Sequence, residues 1–116
     1  MSAKTIPSSL GLLQDDPDHE QAWEDLRQAL SFDPQAGTAQ PPEGESAADL
    51  VELLGSARRA HEMRREYEAV AELLRLELAL SRGGPDEARL AGELGRVYDE
   101  ELLDEARAVE AYQRLL

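Results

Sequence analysis

Apolar residues recur every three or four positions through most of the chain, which is the spacing of an amphipathic helix. The spacing predicts helices over residues 16–31, 46–63, 67–81 and 85–102, and a last helix that includes residues 108–116. No segment alternates strictly between apolar and polar residues, and β-branched residues are few, so strands are not expected. The pattern therefore predicts an all-α fold.

Start and stop signals bound several of these helices. Asp16 followed by Pro17 is typical of a helix start, with Asp as the N-cap and Pro at the first helical position. Ser46 with Asp49 three residues later resembles a capping box and predicts another start. The run 83–85, Gly-Gly-Pro, ends one helix and begins the next.

The regions around the helices have a different composition. We expect residues 1–15 to form a mobile tail, in which three leucines could form a short helical turn, and residues 16–32 to form an N-terminal helix. Residues 33–45 hold three prolines and two glycines and are predicted to be a flexible linker. Residues 46–116 are predicted to form one domain of four helices.

The four helices of residues 46–116 form two pairs that repeat one pattern. Leu54 and Ala91, at corresponding places in the first helix of each pair, are 37 positions apart. Val70 and Ala108, in the second helices, are 38 positions apart. The second pair therefore contains one extra residue in its turn.

The second pair resembles a unit of the tetratricopeptide repeat family. Leu94-Gly95 and Tyr98 match the first helix of such a unit, and Ala108 and Tyr112 match its second helix. The resemblance implies an α-α superhelix of about two stacked tetratricopeptide-like hairpins, with an additional N-terminal helix. A generic four-helix bundle is the alternative, in which the repeated spacing would be accidental.

The remaining helices resemble the family less closely. Residues 65–67, Arg-Glu-Tyr, stand where the family usually has Gly-Asp-Tyr, and residues 16–31 resemble the first helix of a further unit that lacks its second helix. Stacked repeats need a polar end cap and usually three units. We therefore expect that the helix of Trp23 supplies a third layer, that the chain pairs with another copy, or that it is a fragment of a longer array.

The resemblance also implies a binding groove, because the first helix of each unit lines a concave surface in this family. Carried over position by position, the groove consists of Glu52, Gly55, Ser56, Arg59, Glu62, Met63, Arg89, Gly92, Glu93, Arg96, Asp99 and Glu100. The arginines could bind a carboxylate or pair with nearby glutamates, and the glycines could open room for a ligand backbone or allow close helix packing. The carboxylate clamp of the family uses Lys and Asn, and this chain has no Asn.

Charge narrows the possible partners. The chain has 25 acidic and 12 basic residues, a net charge of −13, which argues against nucleic acid or an anionic membrane as a partner. It has no cysteine, which excludes disulfides and cysteine metal sites and favours a cytoplasmic location. No apolar run is long enough to span a membrane, and no apolar signal core follows Lys4.

Candidates for catalysis are weak. His19 is expected to be solvated, and His61 stands where the repeat has Tyr and is expected to pack. The acidic residues near positions 15–20 and 99–105 are typical of helix ends rather than of metal sites. No serine lies near a base in the sequence. We therefore expect no enzymatic activity, no metal and no cofactor.

These observations predict a non-enzymatic adaptor or scaffold that binds a protein or peptide segment through the helical-repeat groove. The alternative is a structural element that self-assembles through the apolar end of its last helix, at Tyr112, Leu115 and Leu116. An acidic mimic of nucleic acid is a third possibility. The N-terminal segment could also occupy the groove, with residues 33–45 as the tether.

Overall fold

The computed structural model describes residues 5–113, and every regular element in that range is a helix. The helices are α1 (Thr5–Asp15), α2 (Glu20–Ala29), α3 (Ala47–Met63), α4 (Tyr67–Leu80), α5 (Glu87–Arg96), which continues into a π-helical turn (Val97–Glu101), and α6 (Glu105–Gln113). The all-α prediction is confirmed. No helix in the described range has both the length and the apolarity needed to cross a membrane.

The helices pack as consecutive hairpins, α1 with α2, α3 with α4, and α5 with α6. In addition, α1 packs on α3, and α4 packs on α5. The central helix α4 contributes to two hydrophobic clusters. Ala69, Leu73 and Leu76 pack with residues of α1, α2 and α3. Leu74 and Leu78 pack with residues of α5 and α6. Helix α4 therefore joins the N-terminal and C-terminal parts of the core.

The N-terminal region differs from the prediction of a mobile tail over residues 1–15. Residues 5–15 form α1, because Ile6, Leu10 and Leu13 recur at helical spacing and are buried in the first hydrophobic cluster. Residues 1–4 lie outside the described range.

Helix α2 begins at Glu20, four residues after the predicted N-cap Asp16. His19 is the N-cap, and its Nδ1 accepts a hydrogen bond from a backbone N–H of the first turn over 3.1 Å. Pro17 lies in the turn before the helix, where its carbonyl accepts a hydrogen bond of 2.8 Å from the indole of Trp23. Helix α2 packs on α1, the helix that precedes it.

The segment predicted to be a flexible linker, residues 33–45, forms a structured loop in its first half. Asp33 and Thr38 form an antiparallel bridge. The backbone N–H of Gln40 donates over 2.6 Å to the carbonyl of Leu30, the C-cap of α2. Phe32 and Ala39 pack against the first hydrophobic cluster. The loop therefore stays next to the helices.

The two C-terminal hairpins turn in the same way. Arg65 and Leu103 are 38 positions apart, and each adopts a left-handed conformation just after the first helix of its hairpin, with φ of 59° and 52°. In the first turn the backbone N–H of Glu66 donates to the carbonyl of His61 over 3.0 Å. In the second turn the backbone N–H of Asp104 donates to the carbonyl of Tyr98 over 2.7 Å. Both turns therefore contain a left-handed residue at the corresponding position, but the hydrogen bond spans five residues in the first turn and six in the second.

The extra residue of the second pair lies in the helix that precedes this turn. The acceptors of the two turn hydrogen bonds, His61 and Tyr98, are 37 positions apart, whereas the donors, Glu66 and Asp104, are 38 positions apart. The difference coincides with the π-helical turn Val97–Glu101. A π-helical turn accommodates one additional residue without ending the helix.

Candidate binding surface on α3 and α5

Most of the predicted groove residues are exposed on α3, on α5 and on the π-helical turn that follows α5. The exposed members are Glu52, Ser56, Arg59, Met63, Arg89, Arg96, Asp99 and Glu100. Glu62, Gly92 and Glu93 are partly buried, and Gly55 is buried. We call the exposed and partly buried members of this set the α3–α5 surface.

The two glycines of the predicted groove have different surroundings. A Cβ atom on Gly55 would lie 3.3 Å from Oε1 of Glu77 and 3.7 Å from Nη2 of Arg58. Gly55 therefore allows the helix to pack closely over a buried ion pair. A Cβ atom on Gly92 would meet no atom within 4 Å. Only Gly92 leaves open space on the surface.

The ion pair beneath Gly55 joins three helices. Nε of Arg58 donates to Oε2 of Glu77 over 2.7 Å, and Nη2 donates to Oε1 over 3.2 Å. Only 7% of the Arg58 side chain and 2% of the Glu77 side chain are exposed. Nη1 of Arg58 also lies 3.3 Å from Glu62 and 3.4 Å from Glu93. The guanidinium on α3 therefore contacts carboxylates on α3, α4 and α5.

Burial and pairing act in opposite directions on this pair. Burial raises the pKa of the Glu77 carboxyl, and the hydrogen bond and charge of Arg58 offset only part of that rise. For Arg58, burial lowers the pKa, but the hydrogen bond and charge of Glu77 together with the charges of Glu93 and Glu62 outweigh it, so that the pKa is raised overall. The guanidinium of Arg58 therefore stabilises the ionised form of the buried Glu77 carboxyl.

Sequence reasoning did not select this ion pair. A signal for Glu77 is present, because Leu73, Leu74 and Leu80 lie three or four positions away on the same helix. A carboxylate surrounded in this way cannot reach solvent on that face and needs a cation. The identity of the cation depends on how α3 packs on α4, which the sequence pattern does not specify.

The three arginines of the α3–α5 surface differ in their ion pairs. Arg89 pairs with Asp86 over 3.5 Å, and Arg96 pairs with Glu100 over 3.6 Å, in each case about one turn away. Arg59 makes no ion pair with any residue in the range 5–113. Arg59 is therefore the cation of this surface that is open to an external acid.

The histidines lie away from the exposed groove residues. His61 is fully buried, and its Nδ1 lies 2.6 Å from Oε1 of Glu66, at the start of α4. Its Nε2 has no hydrogen-bond partner among the described residues. His19 caps α2. In residues 5–113, no group of three or more histidine and acidic side chains is arranged to hold a metal ion.

The residues predicted for self-association lie at the end of the chain. The ring of Tyr112 packs on Gly95, where it leaves no room for a Cβ atom, and 37% of Tyr112 is exposed. Leu103 and Val109 of the same hairpin are 79% and 55% exposed. Leu115 and Leu116 lie outside the described residues.

Comparison of the sequence and the structure with known proteins identifies no relative of this chain. No protein-family model matches the sequence, and the searches of curated proteins and of solved structures find no match.

Proposed function

We propose that the chain is a non-enzymatic helical-repeat module, of the adaptor or scaffold type, that binds a protein or peptide segment on the α3–α5 surface. The observation that supports this most is the contact of 3.4 Å between Arg58 on α3 and Glu93 on α5. It bridges the two helices that carry the predicted groove residues, each of which packs on α4. A surface held in this way loses little conformational entropy when a partner binds.

The spacing of the two hairpins supports the same proposal, because His61 and Tyr98, which accept the turn hydrogen bonds, are 37 positions apart. Arg65 and Leu103 both adopt a left-handed conformation in these turns. Ser31 after α2 does so as well, because a left-handed residue commonly ends a helix. The tetratricopeptide-like architecture, with the first helices of adjacent units facing one partner, is part of our proposal.

The surface chemistry indicates which segments would bind. Arg59 is available for an acid, Met63 is 88% exposed, and Gly92 leaves space for a backbone or a side chain. Methionine adapts to differently shaped apolar side chains. We expect the partner to be a cytoplasmic protein or peptide that presents an acidic residue near an apolar one.

Photo-crosslinking tests this proposal. A benzophenone side chain is placed at Ser56, on the α3–α5 surface, or at Gln28, an exposed position on α2, and the full chain is irradiated in a cell extract. We expect one reproducible adduct from position 56, none of the same mass from position 28, and at least a tenfold loss of the adduct with Arg59→Glu. A matched change outside the surface, Arg27→Glu, should leave the adduct unchanged. Equal crosslinking from both positions would contradict the proposal.

A second candidate function is structural self-assembly through the last hairpin. The exposure of Leu103 and Val109 favours it, because large exposed apolar side chains mark contact surfaces when they cluster. If it is correct, light scattering will show an oligomer that Val109→Asp converts to a monomer. A wild-type chain that is monomeric at high concentration would exclude this candidate.

A further inference from the structure

Helix α4, the second helix of its hairpin, buries one face beneath the hairpin that follows it. Ala71 and Leu74 are fully buried in the second hydrophobic cluster, which residues of α5 and α6 complete. Helix α5 packs on α4, and its stripe of Leu90, Ala91 and Leu94 belongs to the same cluster. The structure therefore shows what covers a face of this kind, namely an amphipathic helix with a stripe of leucine and alanine.

Helix α6, the second helix of the last hairpin, has apolar residues at the corresponding positions. Val109 and Tyr112 follow Ala71 and Leu74 by 38 positions, the offset that also separates the left-handed residues of the two hairpin turns. Val109 is 55% exposed and Tyr112 is 37% exposed, whereas Ala71 and Leu74 are fully buried. Ala106, about one turn before Val109, is also exposed. We call Ala106, Val109 and Tyr112 the outer face of α6.

The outer face contributes little to the core of its own hairpin. Val109 belongs to neither hydrophobic cluster of the described part of the chain, and Tyr112 packs its ring on Gly95 but also lies outside both clusters. Ala108 and Ala111, on the other side of α6, are buried in the second cluster. Helix α6 therefore has a buried inner side, and its apolar outer face remains accessible. Large apolar side chains that cluster on a surface mark a contact site.

The charge around the outer face indicates which helix would fit it. Glu105, one turn before Val109, and Glu110, next to Val109, are both exposed. Neither makes an ion pair with any other residue that the structure describes. Lysine or arginine at the edges of a docked helix would complement these carboxylates. A second copy of the chain, whose net charge is −13, would instead bring more carboxylates to the contact.

We propose that the outer face of α6 binds an amphipathic helix of a protein partner, in the way that α4 binds α5. The partner helix directs a Leu-Ala-x-x-Leu stripe toward Val109 and Tyr112, and it carries basic residues beside Glu105 and Glu110. This surface is separate from the α3–α5 surface, and the proposal does not require the chain to self-associate. It is therefore independent of both functions proposed above.

The test uses two synthetic peptides that have the same charge and differ in the apolar stripe. The first is acetyl-KEARLAKKLARLAKK-amide, and in the second each leucine is replaced by glutamine. Each peptide is titrated into the ¹³C-labelled full chain while the side-chain signals of Val109 and Tyr112 are followed by NMR. We expect the leucine peptide to shift these signals saturably and to bind at least tenfold more tightly than the glutamine peptide. Equal binding of the two peptides, or shifts at Met63 or Leu74 instead, would overturn the proposal.

Three variants of the chain locate the binding site of the leucine peptide. Val109→Asp, on the outer face, should weaken binding at least tenfold, and Glu105→Gln should weaken it several-fold. Met63→Asp is the matched control, because Met63 is also an exposed apolar residue but lies on α3, and it should have no effect. All three residues are exposed, so the variants are expected to fold, and circular dichroism checks this. Unchanged affinity in Val109→Asp or in Glu105→Gln, or an equal loss in Met63→Asp, would contradict the proposal.

Dilution of the full chain without peptide tests a second copy as the occupant of the outer face. We expect the signals of Val109 and Tyr112 to stay unchanged over a hundredfold dilution, which would support the proposal because the face is then open to the partner helix. Shifts of these signals with concentration that Val109→Asp abolishes would assign the outer face to a second copy of the chain and would overturn the proposal.

Discussion

Replacing Arg58 by Met should destabilise the chain by an amount that depends on pH, because it leaves the Glu77 carboxyl buried without its cation. The Glu77 side chain is 2% exposed, so water cannot replace the guanidinium. Breaking a buried ion pair by removing one partner costs about 3–5 kcal/mol. Protonation of Glu77 limits this cost, since neutralising an unfolded-state carboxyl at pH 7 takes about 3.7 kcal/mol. We therefore expect a loss of about 3–4 kcal/mol at pH 7.

The direction of the pH dependence follows from the pKa of Glu77, which burial already raises in the wild-type chain. Without Arg58, the folded-state pKa rises further above its unfolded value. The folded variant then binds a proton that the unfolded chain does not, so its relative free energy of unfolding increases as the pH falls. The loss caused by Arg58→Met should shrink by about 1.4 kcal/mol for each pH unit, to about 1 kcal/mol at pH 5.

The reverse single replacement and the double replacement complete the test. Glu77→Leu leaves Arg58 with Glu62 and Glu93, which are partly exposed, and should cost less, about 1.5–3 kcal/mol. Arg58→Met with Glu77→Leu removes both charges and should cost far less than the sum of the single changes. Urea unfolding, followed by circular dichroism and by the fluorescence of Trp23 between pH 5 and pH 7, measures all three. Additive losses, or a loss in Arg58→Met that does not change with pH, would refute the reasoning.

Four further substitutions can be checked by urea or thermal unfolding. Gly92→Ala should raise the free energy of unfolding by about 0.5–1 kcal/mol, because its Cβ would meet no atom within 4 Å. Gly55→Ala should raise it less or lower it, because its Cβ would lie 3.3 Å from Glu77. Equal stabilisation by the two substitutions would contradict this. Leu103→Gly should stabilise by about 1 kcal/mol, because Leu103 has φ of 52° and is 79% exposed, and a loss would contradict this. The backbone N–H and the guanidinium of Arg107 lower the pKa of Asp104, so the stabilisation it gives is present above the ordinary carboxyl pKa and is lost as the pH falls through the lowered value. The Tm difference between wild type and Asp104→Asn should therefore vanish in acid, and a constant difference would contradict it.

Local signals in the sequence were sufficient for the central helices. Ser46 caps α3 by accepting from the backbone N–H of Asp49 over 3.2 Å, as the capping pattern predicts. Helix α1 was expected only as a short turn at its leucines, because its apolar stripe is short and Pro7 lies within the same segment. Proline is tolerated in the first turn, where the N–H has no intrahelical acceptor, and burial of the stripe then stabilises the helix.

The candidate sites were predicted only in part. The exposed positions on α3 and α5 follow from helical spacing, so residues such as Ser56 and Arg96 lie on the surface as expected. The contact between Phe32 and Arg75 could not be predicted, because it requires the loop after α2 to fold back against α4. Contacts of this kind depend on how hairpins stack, and that information is not contained in the periodicity of any single helix.

The most direct test of the α3–α5 surface is a measurement of the contact that bridges its two helices. In the full chain, a ¹⁵N-edited NOESY spectrum should show cross-peaks from the guanidinium protons of Arg58 to the side chain of Glu93, because Nη1 and Oε2 are 3.4 Å apart. It should also show cross-peaks from Arg58 to Glu77. Cross-peaks from Arg58 to Glu62 and Glu77 alone, with none to any residue of α5, would contradict the account.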